Sequence, residues 1–231
     1  MKAILQEGLT ALGLSIEAIP ALERYASLLA EKNQVMNLTA ITDPAEVARL
    51  HFLDSAALLA LADFRGKSVA DVGTGAGFPG LPLKLLEPSI CLTLLDAQRK
   101  RVDFLQEVCG ALKLEAVACV HGRAEEFAQS HREAFDLTVS RAVAALPVLA
   151  ELCLPLVKVG GFFLAMKSVD TAGELEAAGR AVDLLGGRLR KPMDYSIPGT
   201  EVRHRLIAIE KIRETPKKYP RTFAKIKKNP L

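Results

Sequence analysis

Between positions 71 and 80 the chain reads Asp71-Val-Gly73-Thr-Gly75-Ala-Gly77-Phe78-Pro-Gly80, an acidic residue followed by four glycines. Such a run offers bare main chain for a ligand to lie against. The apolar Val69-Ala before it reads as a strand end, and Leu81-Pro-Leu-Lys-Leu-Leu86 after it reads as a helix. Strand, glycine turn and helix make the first unit of a nucleotide-cofactor fold. Asp96 stands 23 residues beyond Gly73, where a carboxylate at the end of a second strand can accept both hydroxyls of a ribose. The blander alternative is a cap for the helix that starts near Gln98; the glycine loop favours the ribose role. Ala124-Glu125 follow a third strand, within reach of a base attached to that ribose. Arg141 closes a fourth, where its guanidinium can grip a ligand carboxylate or phosphate with two N–H groups, or pair with a nearby acid. The sequence holds no Ser/His/Asp set, no metal-spaced His/Cys cluster and no P-loop lysine.

Positioning these groups requires a sheet. Strands are expected at Val69–Asp71, Cys91–Leu95, Ala116–Val120, Phe135–Val139 and Gly161–Met166, with helices between them. A final pair, Arg188–Ile197 and His204–Lys211, turns at Pro198-Gly199. This alternation predicts an α/β, doubly wound parallel sheet covered on both faces, with an antiparallel ending. In such a sheet the ligand lies outside the carboxyl ends of the strands, where the strand order reverses. Residues 1–64 read as a helical extension. Within it Asp43-Pro44-Ala45-Glu46 is a helix start: an Asp cap, Pro at the first position, Glu three beyond the cap. The helix it opens carries His51 and Asp54. The core then spans 65–213, and 214–231 is a basic tail.

Composition narrows the class. At 231 residues, 50% hydrophobic and mean hydropathy +0.20, the chain is a globular protein with one sizeable core. No apolar run approaches a membrane span, and polar residues in the first seven positions speak against a signal peptide. The four cysteines lack C-x-x-C spacing and fit a reducing, cytoplasmic setting. The net charge of +3 is unevenly spread. Residues 211–231 hold eight basic side chains against Glu214 alone, leaving 22 basic and 26 acidic side chains in the body. A basic end on an acidic body suits a polyanionic partner or simply a solvated tail. If nucleic acid is the partner, Arg221, Lys225 and Lys227 are its expected contacts. The tail is then expected to be separable from cofactor binding.

Two cofactor templates match the glycine loop. Gly75-x-Gly77-x-x-Gly80 fits the dinucleotide fingerprint, and Asp71-x-Gly73-x-Gly75-x-Gly77 resembles the acidic loop of S-adenosylmethionine (AdoMet) methyltransferases. A carboxylate two residues before the first glycine would repel a pyrophosphate, whereas Asp71 would favour a sulfonium and an ammonium. A wider resemblance joins this one. Asn37-Leu-Thr-Ala-Ile41, His51-Phe-Leu-Asp-Ser55, the 71–80 loop, Leu95-Asp96, Lys100-Arg-Val-x-Phe-Leu105, Arg123-Ala-Glu125, Ser140-Arg-Ala142 and Ala165-Met-Lys167 stand in one order. Together they resemble the RsmG (GidB) family of bacterial small-subunit ribosomal RNA guanine-7 methyltransferases, across about residues 20–231. Ser168 stands where that pattern leads one to expect glycine.

The resemblance implies a seven-stranded, Rossmann-like AdoMet-dependent methyltransferase fold. It implies AdoMet contacts by Gly73, Phe78, Ala124, Glu125 and Arg141, beside Asp71, Gly75 and Asp96 from the loop and its spacing. It implies a target guanosine in the decoding region of small-subunit rRNA, met as RNA or as its ribonucleoprotein assembly. A monomer is the working expectation. Ring nitrogen 7 of guanine carries an exposed lone pair, so attack on a sulfonium methyl needs no catalytic base. A methyltransferase for another substrate, an NAD(P) oxidoreductase and a non-catalytic RNA-binding module remain open at this point.

Overall fold

The computed structural model describes residues 1–141 and 144–231; Ala142 of the Ser140-Arg-Ala142 motif lies outside the described residues. Five parallel strands carry the fold: β1 (Ser68–Val72), β2 (Cys91–Asp96), β3 (Val117–His121), β4 (Phe135–Arg141) and β5 (Val157–Ser168). They are followed by β6 (Gly187–Leu189), β7 (Met193–Ser196) and β8 (Arg203–Lys211). The order across the sheet is β3-β2-β1-β4-β5-β8-β6, with β7 also on β8. The chain runs outward from β1 to β3, returns, and resumes on the other side at β4, so the order reverses between β1 and β4. A cleft outside the carboxyl ends of those two strands follows from the topology alone.

β8 runs antiparallel to β5, from Phe162↔Glu210 to Ser168↔His204. The strand expected over Arg188–Ile197 is instead two short ones on the same edge of β8, Gly187↔Lys211 and Met193↔Leu206 marking their starts. Between them lies Arg190-Lys191-Pro192. Proline has no N–H for a ladder and confines itself to edges and interruptions. Seven positions across the sheet therefore hold eight strands.

Side chains alternate along each strand, and each face builds its own core. Val69, Leu92, Leu94, Leu137 and Val139 pack under α1 (Lys2–Ala11), α2 (Ile19–Asn33), α4 (Asp54–Leu61), α5 (Gly80–Leu86) and α6 (Arg99–Ala111). Ala70, Val72, Leu95, Phe163, Ile207 and Ile209 pack under α7 (Ala124–Ser130), α8 (Leu146–Cys153), α9 (Ala172–Leu184) and α10 (Phe223–Lys228). Asp43 caps α3 (Pro44–Glu46) as expected, its Oδ1 accepting the N–H groups of Ala45 and Glu46, each at 2.9 Å. Between α3 and α4 the rod takes a π-helical stretch, Val47–Leu53, which no capping or periodicity signal announced. Such stretches recur at functional sites, and this one carries His51. No helix among the described residues is long and apolar enough to cross a membrane.

The basic end is docked, contrary to the expectation of a separable tail. Tyr219 and Ile226 are buried, and the Arg132 guanidinium donates to the carbonyls of Thr215, Pro216 and Tyr219. Lys211, also buried, donates to Leu154 O at 2.7 Å and pairs with Glu133 at 3.1 Å. Burial pulls its pKa down to about 8, against the pull of Glu133.

Candidate active site

The glycine loop is fixed from beneath. Asp71 shares a strand face with Val69, so its side chain points toward α5, and it is 0% exposed. Its Oδ2 accepts the Thr74 hydroxyl at 2.7 Å and the Gly80 N–H at 2.8 Å, closing the loop like a clasp. A Cβ at Gly80 would stand 2.8 Å from that oxygen and 2.6 Å from Leu94, so only glycine admits the clasp. Burial raises the Asp71 carboxyl to about 6, with the Thr74 and Gly80 bonds opposing it. From the other side the Tyr25 hydroxyl of α2 donates to Ala76 O. Gly73 N and Thr74 N donate to Leu95 O at 2.8 and 3.2 Å, which ties the loop to the end of β2.

The loop's outer surface forms one wall of a cavity of about 420 Å³, within the roughly 300–1,000 Å³ of small-molecule sites. At Gly75, φ is +62° and a Cβ would meet nothing within 4 Å, so the missing side chain leaves open space on the ligand side. Asp96 lies across it: Oδ2 accepts Gly75 N–H at 3.0 Å and Oδ1 accepts Gln98 N–H at 2.8 Å. Both roles weighed for Asp96 are thus compatible, because a carboxylate has about four acceptor positions and these bonds use two. A narrower slot of about 120 Å³ adjoins the cavity at Gly73, Asp96 and Ala97, and runs to Ala124, Glu125, Leu152 and Phe223. Larger grooves, of about 490 Å³ beside α2 and about 1020 Å³ beside Val159 and Lys191, contain none of the expected AdoMet contacts, though Thr39, Ile41 and Pro44 line the first.

Arg141 enters the main cavity from the end of β4 and meets the π-helical stretch. Its Nη1 donates to Leu50 O at 3.0 Å and Asp54 Oδ2 at 3.1 Å, and its Nη2 to His51 Nδ1 at 3.0 Å. With Nδ1 accepting, the proton sits on Nε2, which donates to Thr39 Oγ1 at 2.8 Å; this tautomer is assigned from the network. The His51 ring stacks on Phe78 with centroids 4.4 Å apart, and the Arg141 guanidinium carbon lies 5.0 Å from the Phe78 ring centre. Burial, then the Arg141 charge, drives the His51 pKa down to about 4, so it is neutral near pH 7. Asp54 also accepts Tyr195 Oη and His204 Nδ1, each at 2.8 Å. Burial raises its carboxyl, but the bond from His204 and the charge on Arg141 outweigh this and hold it below the ordinary value.

The structure gathers Gly73, Gly75, Phe78, Asp96 and Arg141 around the cavity and Ala124 and Glu125 around the slot. Asp71 lies behind the loop and touches neither, so its geometry is that of a clasp and any influence of its charge on a ligand acts through the loop. Arg221 is also elsewhere than expected. It grips Glu151, itself 0% exposed, with Nη2–Oε2 at 2.6 Å and Nε–Oε1 at 2.8 Å, so its cation is already matched. Lys225 and Lys227 stand exposed on α10. Tyr25, Tyr195, His204, Glu151 and Phe223 were not singled out from the sequence. Each acts through a partner 51 or more positions away, for which one sequence carries no signal.

The family model described as GidB, rRNA small subunit methyltransferase G, matches residues 18–195. A ribosomal RNA small subunit methyltransferase G from Alkaliphilus oremlandii (strain OhILAs) is 48% identical over 239 residues, covering 100% of this chain and 99% of its own. Another of that name, from Clostridium botulinum (strain 657 / Type Ba4), is 46% identical over 210 residues, 90% of this chain and 88% of its own. TrmN from Thermus thermophilus shares the fold with TM-score 0.53 at 24% identity, over 68% of this chain and 48% of its own. So does M. jannaschii TYW2 in complex with AdoMet, with TM-score 0.53 at 15% identity, over 66% of this chain and 72% of its own. Matched by the model over most of its length and by relatives from end to end, the chain belongs to the GidB family of rRNA small subunit methyltransferases G.

Proposed function

We propose that the cleft binds AdoMet and that the enzyme methylates ring nitrogen 7 of a guanosine in the decoding region of 16S rRNA, in the cytoplasm. The observation that carries this is the cleft at the β1/β4 reversal, where an open Gly75 wall faces Asp96 and Arg141 and continues into the slot at Ala124 and Glu125. The donor set fits the cofactor end by end. Asp96 keeps acceptor positions for two ribose hydroxyls, and Arg141, with three of its five N–H groups engaged, keeps others for an amino-acid carboxylate. Backbone at Ala124-Glu125 is placed to read the base. When bound, AdoMet supplies an electrophilic methyl group on a sulfonium.

What remains for the protein is alignment and tolerance of charge. The nitrogen 7 lone pair attacks without losing a proton, and His51, neutral and donating to Thr39, is built to orient rather than to accept one. Catalysis then rests on holding nucleophile, methyl and sulfur in line. The dinucleotide reading is set aside by family membership. Lys225 and Lys227 on α10 are the RNA contacts proposed from the basic end. Radiolabelled methyl transfer to 16S rRNA from cells lacking the enzyme, as free RNA and as assembled subunit, tests the reading. Digestion should return 7-methylguanosine as the labelled nucleoside; label in any other nucleoside refutes the assignment.

A further inference from the structure

We infer that Phe223, carried by the basic C-terminal helix, is the aromatic wall against which the cofactor's adenine stacks. The inference rests on the reading of the cleft as an AdoMet site. The slot beyond Asp96 is where a base lies once its ribose is on that carboxylate, and its lining includes Leu95, Arg123, Ala124, Leu152 and Phe223. Among the described residues Phe223 is the one aromatic side chain lining it, and any purine presents a face to such a ring. The ring is held, not loosely placed. The Arg123 guanidinium carbon lies 4.9 Å from its centre. Two residues before it, Arg221 is bound to Glu151 through its backbone N–H at 2.9 Å and its guanidinium at 2.6 Å. Three residues after it, Ile226 is fully buried. Glu151 adjoins Leu152, so the anchor and the slot wall it serves are neighbours on α8. The basic end thus completes the cofactor site, and is not merely a handle for RNA.

The chain contains no tryptophan, so Phe223→Trp installs its sole indole at this wall. Its emission should be quenched by saturating AdoMet, while affinity measured by calorimetry stays near that of the wild type. Phe223→Leu keeps an apolar contact but removes the ring face, and should weaken AdoMet by about 5- to 150-fold, as expected for base–aromatic stacking. 5′-Methylthioadenosine, which has the base and ribose without the amino-acid end, should lose affinity by the same factor. Unchanged AdoMet affinity for Phe223→Leu overturns the inference, as does indole emission indifferent to bound AdoMet. A loss for AdoMet but not for methylthioadenosine also overturns it, since the ring would then act away from the base. Failure of the wild type to bind AdoMet at all would instead refute the cofactor reading beneath it.

Discussion

Arg221 offers a test in which two roles predict opposite outcomes. Its partner Glu151 is 0% exposed and receives the Arg221 backbone N–H, Nε and Nη2, at 2.9, 2.8 and 2.6 Å. Arg221→Ala leaves that carboxylate buried without its counter-charge, a change that typically costs about 3–5 kcal/mol. For a chain of this size each kcal/mol moves the midpoint by about 2–4 °C, so Tm should fall by roughly 6–20 °C. Adding Glu151→Leu removes the stranded charge and supplies apolar contacts in a cluster that already includes Leu149 and Leu152. Most of the loss should return. The shortfall should be about 1 kcal/mol, because the backbone N–H of residue 221 loses its acceptor once Glu151 is replaced. Differential scanning calorimetry on the two variants, with RNA affinity in parallel, makes the comparison. A single variant with wild-type Tm and weakened RNA binding would refute this reasoning and return Arg221 to the RNA surface.

Asp96→Ala should weaken AdoMet about 10- to 100-fold, from the loss of charge-assisted bonds worth roughly 1.5–3 kcal/mol; unchanged affinity by titration calorimetry would leave Asp96 with its Gly75 and Gln98 bonds alone. Lys225→Gln with Lys227→Gln should lower the log–log salt slope of RNA binding by about 0.7 for each lost contact with single-stranded RNA, with AdoMet affinity unchanged; an unaltered slope would place the RNA elsewhere. His51→Ala should cost less than the roughly 10²–10⁴-fold of a lost general base, and single-turnover rates should stay level across about pH 6.5–8.5. The folded His51 pKa of about 4 lies below its unfolded value. Its stabilising contribution is therefore complete above about pH 6.5 and lost as pH falls toward 4. Glutamine at 51 should reduce that acid-side loss in thermal melts taken from pH 4 to 7.

Local pattern carried much of the architecture. The strand–glycine–helix unit, the alternation that builds a parallel sheet, and the Asp43 cap all depend on residues within one or two turns of each other. The gathering of Gly73, Asp96, Ala124 and Arg141 on one edge follows from strand ends once the sheet is assumed. Other features have no local origin. Lys191-Pro192 interrupts a stretch whose residue types read as one continuous strand, and the π-helical stretch Val47–Leu53 carries His51, whose partners Thr39 and Arg141 lie outside it. The basic end illustrates the difference. Its charge was plain, but the buried Glu151 that turns Arg221 inward comes from α8, which packs in the same core cluster as Tyr219 and Ile226 of the basic end.

Asp54 has a further consequence, for how this site can change over generations. One carboxylate from the helical extension satisfies Arg141 from β4, Tyr195 from β7 and His204 from β8. Replacing it strands three donors at once; replacing any single donor leaves the others holding a carboxylate short of one bond. The second substitution in such a set costs less than the first, so the effects are not additive. The shared carboxylate therefore predicts that a change at one of these four positions calls for a matching change at a partner in a distant segment, and that a single residue exchanged without its partners leaves bonds unmade.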